Sequence, residues 1–452
     1  MRDIAFSLVF LAFWLQCFAR PYLGPLLWAW VSMMYPHRLA FGFAHNLPVA
    51  FIAGLTTLGM FAVSREKQPF PRNAPAILMV LFFIWCCVTS LASINDPTMV
   101  YGVWLKVAKI QLMLFVTMMM LSGRQQITWL VWIIALSLGF YGFKGGLYTL
   151  KSAGLGQVLG PPGSFIEPNN EIGLALVMVV PLLYFLYGIS TKRWVRLGLL
   201  AVAILTLVAI LGTYSRAAFL AVAVMVFFLA MKSNHKAFTI VVMVAGLAGT
   251  ITFLPDRWTE RMHSISTYQD DSAQTRLQVW AICAKVAADH PITGGGYRIT
   301  ENPKIWEQYA KGDWKIAFVP HSIYFQALAE HGYVGLILFL GIGLSTLRLA
   351  SKVAREAREG PDADWVPLLM GMIQASIIGY SVAGAFSALV NYDLPYYLAA
   401  IVAMVARDMA SRRPALAAPT ATFPSPAAHG RLGGEVAYPP APGRVSRGCR
   451  TS

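Results

Sequence analysis

Long apolar runs, separated by short polar stretches, follow one another along most of the chain. A helix needs roughly 20 largely apolar residues to cross a bilayer, and each run is close to that length. The clearest runs occupy residues 48–64, 75–93, 107–122, 126–143, 171–189, 196–214, 217–231, 236–254, 322–347, 365–388 and 391–406. With an apolar N-terminal segment added, they predict an all-α polytopic membrane protein with about 12 transmembrane helices.

The N-terminal segment, residues 1–36, has a basic residue near its start and Arg20-Pro21 in its middle. Its apolar character continues past that pair without the small-residue cleavage site of a signal peptide. We therefore expect it to be retained, either as one proline-broken span or as a pair of short helices.

The composition agrees with a membrane protein, since 57% of the residues are hydrophobic and 13% are charged, against about 25% charged in soluble domains. The net charge is +15. Basic segments occupy alternate loops at 64–72, 191–196, 231–236 and 348–360. The positive-inside rule makes these loops cytoplasmic, so the excess charge requires no nucleic-acid partner. The intervening loops, with the long stretch 255–320, then face the other compartment, which is the periplasm in a bacterium.

The five cysteines have no metal-ligand spacing, so we expect neither a metal nor a cofactor. Residues 411–452 follow the last apolar run and are rich in Pro, Ala and Gly from about 414 onward. This composition predicts a disordered cytoplasmic tail.

Arg216 lies at the end of an apolar run on the external side, next to Thr213, Tyr214 and Ser215. Its side chain either extends to the membrane–water interface or binds an anion. The positive-inside rule disfavours arginine on this side, and a guanidinium matches phosphate oxygens with a planar fork of donors.

The loop 255–320 is predicted to contain a helix. Four residues recur at steps of three or four, which puts them on one face of this helix: Leu277, Trp280, Ala284 and Ala287. Asp271 or Ser272 would cap its start, and Pro291 would end it. Arg276 on this helix is either a solvated side chain or a second anion-binding group. The turn 294–296, three glycines, could let the backbone approach a ligand closely.

His321 stands where the loop meets the next apolar run, followed by Ser322. Its imidazole is either part of a helix cap or a base, because a neutral imidazole is available near neutral pH. Asn169 and Asn170, after Pro168, either cap a helix or contact a substrate. We expect structural roles for His290 and His331.

The stretch "HSIYFQALAEHGYVG" resembles the signature of the O-antigen ligase and polymerase superfamily, filled here by His321, Ser322, Gly332 and Gly335. The stretches "TYSRAA", "SFIEPNNEIGLAL" and "TRLQVWAICAKVAADHPITGGGY" resemble further elements of that family, in the family's order. The segment "LLWAWVSMMYPHRLAFGFAHNLPVAF" is similar to O-glycosylation ligases found with exosortase systems.

The resemblance implies an N-terminal membrane region at 1–145 and a ligase-like core at 146–410 that includes the periplasmic loop. It implies a glycosyltransferase of the bacterial inner membrane, with its active site facing the periplasm. The donor would be a polyprenyl diphosphate-linked glycan, and the acceptor a hydroxyl on a protein or glycan.

Residue roles follow from the same resemblance. Arg216 and Arg276 would stabilise the departing diphosphate, and His321 would take the acceptor proton, with inversion and without a metal. Residues expected to contact substrate are Asn169, Asn170, Tyr214, Ser215 and Ser322. Two alternatives stay open: a polysaccharide polymerase of the same superfamily, and a transporter or flippase of lipid-linked sugar. We find no internal symmetry of the kind that transporters carry.

Overall fold

A computed structural model of the chain describes residues 2–232, 274–310 and 317–417, with side chains described through Arg412. Within these ranges the secondary structure is helical and contains no strand. The α-helices are α1 Arg2–Ala19, α2 Leu23–Met34, α3 Val49–Val63, α4 Ala74–Leu91, α5 Pro97–Met120, α6 Gly123–Lys151, α7 Asn169–Ile189, α8 Arg193–Gly212, α9 Arg216–Lys232, α10 274–289, α11 Pro303–Tyr309, α12 Ile323–Ala357, α13 Val366–Gly384 and α14 Asp393–Ala417. Short 3-10 helices occupy Pro36–Leu39, Phe43–Asn46 and Ile299–Glu301.

Eight helices of the described residues are long and apolar enough to cross a membrane: α1, α4, α5, α6, α7, α8, α12 and α13. The helices α2 and α3 are apolar but shorter. A polytopic helical membrane protein is therefore confirmed, while the expected number of about 12 spans stays a prediction. The predicted run at 236–254 lies outside the described residues. The N-terminal segment forms two helices, α1 and α2, which separate at Arg20-Pro21.

The helix starts follow local chemistry. The Asn73 side chain accepts a hydrogen bond from the backbone of Ala76 and caps α4. The Asp96 carboxylate accepts from Thr98 at the start of α5, where Pro97 is the first helical residue. Both side chains accept hydrogen bonds from backbone N–H groups that have no partner within the first turn of a helix. Proline at the first position costs no hydrogen bond, because an N–H there would have no partner in the helix.

The centre of the bundle is α7, which packs against α6, α8 and α13 and is buried along most of its length. Close packing of α6 on α8 depends on glycine. A Cβ at Gly142 would lie 2.1 Å from Thr206 Oγ1, and one at Gly146 would lie 2.2 Å from the carbonyl oxygen of Leu205. Small residues at these positions let the two helices approach closely, as is common between membrane helices.

The helix α12 is interrupted at Gly332, where φ is 68° and ψ is −172°. The connection after α10 fits into this break. The amide of Tyr333 donates to the carbonyl of Pro291 at 2.9 Å, and the amide of Gly295 donates to that of Ala329 at 2.8 Å. The glycine turn 294–296 therefore binds the backbone of α12 within the protein.

Seven segments lie at one end of the bundle, which we call the loop end: residues 2–3, 35–48, 92–96, 152–168, 213–215, 274–322 and 385–392, as far as they are described. Contacts join them to one another. The Asp3 carboxylate accepts from Gly42, and the Asn95 side chain donates to the carbonyl of Tyr297. The basic segments 64–72, 191–196 and 348–360 lie at the other ends of the same helices.

Residues Met1–Ala410 form one compact unit. The helix α14 continues to Ala417 and so extends into the segment predicted as a disordered tail. Alanine is the strongest helix former, and the sequence at this point is rich in it. The remainder of the tail, 418–452, lies outside the described residues.

Candidate active site

The turn between α8 and α9 presents Arg216 at the loop end. The Asn169 side chain donates to the carbonyl of Thr213 at 3.0 Å, which joins the start of α7 to this turn. The Ser215 hydroxyl accepts from the amide of Ala218 at 3.2 Å and caps α9. Arg216 is therefore the first residue of a capped helix, and its side chain is exposed.

Tyr214, in the same turn, has a positive φ of 55°. Few residues other than glycine adopt this region, and for a bulky side chain it is uncommon. Its hydroxyl donates to the carbonyl of Gly154, in the segment before α7. The turn thus has a defined shape, fixed by contacts from two other segments.

A second arginine enters the site from α10. Arg276 lies one turn before Trp280, so both side chains share a face of the helix. The indole of Trp280 donates to the carbonyl of Pro320 at 2.9 Å. Its ring stacks on Phe325 with centroids 5.0 Å apart and planes 11° apart. These contacts hold α10 against the segment that carries His321.

His321 has a strained backbone, with a positive φ of 45°. Its Nδ1 is buried and has no hydrogen-bond partner within the described residues. Burial and the positive charge of Arg276 lower the pKa of His321 below 6.5, and Glu301 opposes this change. The imidazole is therefore neutral near pH 7 and free to accept a proton.

Arg276 is the electrostatic centre of this cluster. Burial lowers its pKa, the charge of Arg216 lowers it further, and Glu171 raises it. The charges of Arg276 and Arg216 therefore repel each other, and the charge of Arg276 also acts on His321. In the part of the chain that the structure describes, neither arginine forms a salt bridge. Two guanidinium groups that repel each other, one of them partly buried, favour a bound anion.

Glu171 belongs to the cluster and was missed by the sequence analysis. It is 6% exposed, lies in the first turn of α7, and interacts with the backbone of Ala388 and the charge of Arg276. The signal for it was present: an acidic residue directly follows Asn169-Asn170 at the start of a long apolar run. Buried charged residues in such runs are costly and mark functional positions.

The other predicted substrate contacts are placed as follows. The described contacts of Asn169 and Ser215 are with the 213–218 backbone. Ser322 occupies the cap position of α12 and is buried, but its side chain makes no capping bond. Asn170 is half-buried next to Glu171. Contact of these residues with substrate stays a prediction.

The predicted face of α10 is packed only in part, since Ala287 is buried and Trp280 is packed on Phe325. Leu277 is 61% exposed and Ala284 is also exposed, whereas Val279, Ile282 and Val286 are buried. These three pack with residues of α11 into a separate small core at the loop end. The helical period was right, but the face that packs is centred on these three β-branched side chains and includes Ala287, while Ala284 lies outside it. The end of the helix before Pro291 is as predicted, and the caps Asp271 and Ser272 lie outside the described residues.

Two further features frame the site. An apolar groove lined by residues of α12, α13 and α14 begins at Ile323 and Tyr324, directly after His321 and Ser322. Among the described residues, no three His, Cys, Asp or Glu side chains cluster as metal ligands would.

Fold and site together define a polytopic helical membrane protein with a cationic site and a neutral histidine at one end. Residues 201–340 match the family model described as O-antigen ligase, and these residues contain Arg216, Arg276 and His321. Residues 201–340 are therefore an O-antigen ligase domain, and with the membrane-spanning helices they support an O-antigen ligase-like membrane enzyme. Residues 1–191 match a family of unknown function. A search of curated proteins finds no match to the chain. The association with exosortase systems stays a prediction.

Proposed function

We propose that the protein transfers a glycan from a polyprenyl diphosphate carrier to an acceptor hydroxyl, in the manner of an O-antigen ligase. The observation that supports the proposal is the packing of Trp280, one turn after Arg276, on Pro320 and Phe325, which flank His321 in the chain. Two arginines and a neutral histidine are the groups that such a transfer requires.

The arginines act on the leaving group. As the bond between the anomeric carbon and the diphosphate oxygen breaks, negative charge grows on the diphosphate. Arg216 and Arg276 stabilise that charge, and they do so more strongly where water is partly excluded. Glu171 limits the repulsion between the two cations while the site is empty.

His321 acts on the acceptor. The hydroxyl oxygen attacks the anomeric carbon from the face opposite the diphosphate, and His321 takes the hydroxyl proton. One bond forms as one breaks, so the configuration inverts. The products are the glycosylated acceptor and the free polyprenyl diphosphate. Neither step requires a metal if the arginines hold the diphosphate.

The polyprenyl chain has a suitable path. The groove that begins at Ile323 and Tyr324 is apolar and lies between helices of the bundle. A carrier lying there would have its head group near His321. We assign the loop end to the periplasm, because the basic segments at the opposite ends favour the cytoplasm. We favour a protein hydroxyl as acceptor, and a polymerase would use the same residues with a glycan acceptor.

The test is a transfer assay with the full chain in proteoliposomes, labelled lipid-linked glycan, and a protein or a glycan acceptor in separate reactions. His321→Ala is expected to lower transfer by about 10²–10⁴-fold, the usual contribution of a general base. His290→Ala, at the end of α10, is the control. Label on protein identifies a ligase, and label on glycan identifies a polymerase. Wild-type transfer by His321→Ala would overturn the base assignment, and movement of intact donor between leaflets without transfer would favour a flippase.

A further inference from the structure

A second pocket opens in the N-terminal part of the chain, away from the arginine site. It lies between α2, α3, α5 and the segment 152–168, and it encloses about 310 Å³. This volume is at the lower end of the range of ligand-binding pockets. The pocket lies within residues 1–191, which match the family of unknown function, and outside the ligase match at 201–340.

Two lysines line this pocket from within a candidate membrane span. Lys106 and Lys109 belong to α5, which starts at Pro97. At 1.5 Å per residue they lie about 14 and about 18 Å along the helix, near its middle. A spacing of three residues puts them on one face. A lysine that only reaches for the interface is expected near a helix end.

Neither lysine forms a salt bridge with any residue that the structure describes. The residues that line the pocket include no acidic one. One carboxylate contacts a lining residue: Asp393 accepts a hydrogen bond from the hydroxyl of Ser32. Charged side chains inside a membrane are costly unless they are paired. An anion bound between the two ammonium groups would therefore be stabilising.

The rim of the pocket adds hydrogen-bonding groups. His37 lines the pocket, and its Nδ1 is buried without a hydrogen-bond partner among the described residues. Its ring stacks on Tyr35, with centroids 6.3 Å apart. Burial and the charges of Arg38 and His45 lower the pKa of His37 to about 4. An anion beside the ring would counter this depression. Ser164 also lines the pocket, and its hydroxyl donates to the carbonyl of Pro161 at 2.7 Å.

We propose that this pocket binds the phosphate head group of a lipid that enters from the bilayer. Lys106 and Lys109 neutralise the phosphate, and His37 and Tyr35 donate hydrogen bonds to its oxygens. Trp28 and Ile110, which also line the pocket, contact the first apolar carbons of the lipid. The same chemistry is offered by a polyprenyl phosphate and by an anionic phospholipid of the bilayer. The proposal does not depend on the transfer reaction proposed for the arginine site.

The test measures binding of a labelled polyprenyl monophosphate to the full chain in phosphatidylcholine nanodiscs. The double variant Lys106→Gln, Lys109→Gln is expected to bind at least about 10-fold more weakly, because two charge-assisted contacts are lost. The control, Lys192→Gln with Lys304→Gln, removes the same charge from positions outside the pocket and should bind as the wild type does. The Lys106→Arg, Lys109→Arg pair keeps both charges and should retain binding, which excludes a general folding defect.

Two further arms identify the site and the source of the ligand. The Arg216→Gln, Arg276→Gln variant should retain monophosphate binding. The proposal would be overturned if the arginine variant lost binding while the Lys106→Gln, Lys109→Gln variant kept it. It would also be overturned if the Gln pair and the Arg pair at Lys106 and Lys109 bound the monophosphate equally. If phosphatidylglycerol at equal concentration displaces the labelled monophosphate, the site is supported and its ligand is a bilayer phospholipid. If phosphatidylglycerol does not displace the labelled monophosphate, the site is supported and its ligand is the polyprenyl phosphate.

Discussion

His321 and His331 lie ten residues apart in the chain, yet their surroundings are opposite. His331 is fully buried, its Nδ1 lies 2.7 Å from the Thr89 hydroxyl, and the edge-on ring of Tyr297 has its centroid 4.8 Å away. His321 stands before α12 with a strained backbone and a buried Nδ1 that has no described partner. The same side chain therefore serves packing in one place and remains available for chemistry in the other.

The difference shows that the number of partners, more than burial, separates a structural histidine from a reactive one. Around His331 every contact comes from the protein: the Trp85 indole donates to its carbonyl at 2.9 Å, and the Cys86 sulfur lies 3.7 Å from Nε2. Around His321 the neighbours are charged side chains at the mouth of the site. A buried polar group without a partner is costly, so a position that keeps one is a candidate for binding or catalysis.

The largest expected contrast comes from replacing the two histidines in turn. His331→Ala removes the partner of Thr89 and leaves a cavity, so we expect it to destabilise the protein by roughly 2–4 kcal/mol. His321→Ala should leave the melting temperature unchanged while transfer falls by about 10²–10⁴-fold. Thermal unfolding in detergent and transfer per folded molecule measure the two effects. If His331→Ala lowered transfer without lowering stability, the contrast between the two histidines would be lost.

The next effect concerns Gly332, where the connection after α10 enters the break in α12. A Cβ there would lie 2.2 Å from the carbonyl oxygen of Ile292, and the backbone has a conformation that only glycine adopts readily. The conformation alone costs roughly 1–3 kcal/mol for another residue, and the contact adds to it. We expect Gly332→Ala to lower the unfolding temperature and the yield of folded protein.

A matched control for Gly332 exists on the same helix. A Cβ at Gly343 would meet nothing within 4 Å, so Gly343→Ala should be neutral or slightly stabilising. Equal melting temperatures for Gly332→Ala and Gly343→Ala would show that the break is not required.

Much of the fold could be predicted from the sequence, because apolar runs of sufficient length have few other solutions. Each predicted run within the described residues is a helix. The site was harder to predict, since Arg216, Arg276 and His321 are far apart in the chain and only the folded bundle shows which charges interact. Glu171 was missed because the role of a carboxylate inside an apolar helix depends on the side chains that lie around it in the fold. The face of α10 was right only for Trp280 and Ala287, because residue period alone does not say which apolar side chains pack against a neighbour.

A smaller effect should appear in the pH dependence of transfer. Burial and Arg276 lower the pKa of His321 below 6.5, so the base stays neutral to lower pH and the acidic limb of kcat/KM lies below pH 6.5. Arg276→Gln removes one of these causes, so the limb should move to higher pH in addition to the loss of rate. Arg124→Gln, which breaks an exposed pair with Asp364, is the control. An acidic limb that does not move in Arg276→Gln would argue against His321 as the titrating group.

The smallest effect separates positioning from chemistry at Trp280. Trp280→Phe keeps an aromatic ring to stack on Phe325 but removes the donor to the carbonyl of Pro320. One neutral hydrogen bond contributes about 1 kcal/mol, so a loss of roughly 5-fold is expected. Because the donor holds the segment that carries His321, the loss should fall on kcat, with KM for the lipid-linked donor and the melting temperature nearly unchanged. If only the melting temperature fell, Trp280 would serve the packing of α10 alone, and the link between α10 and His321 would have no part in transfer.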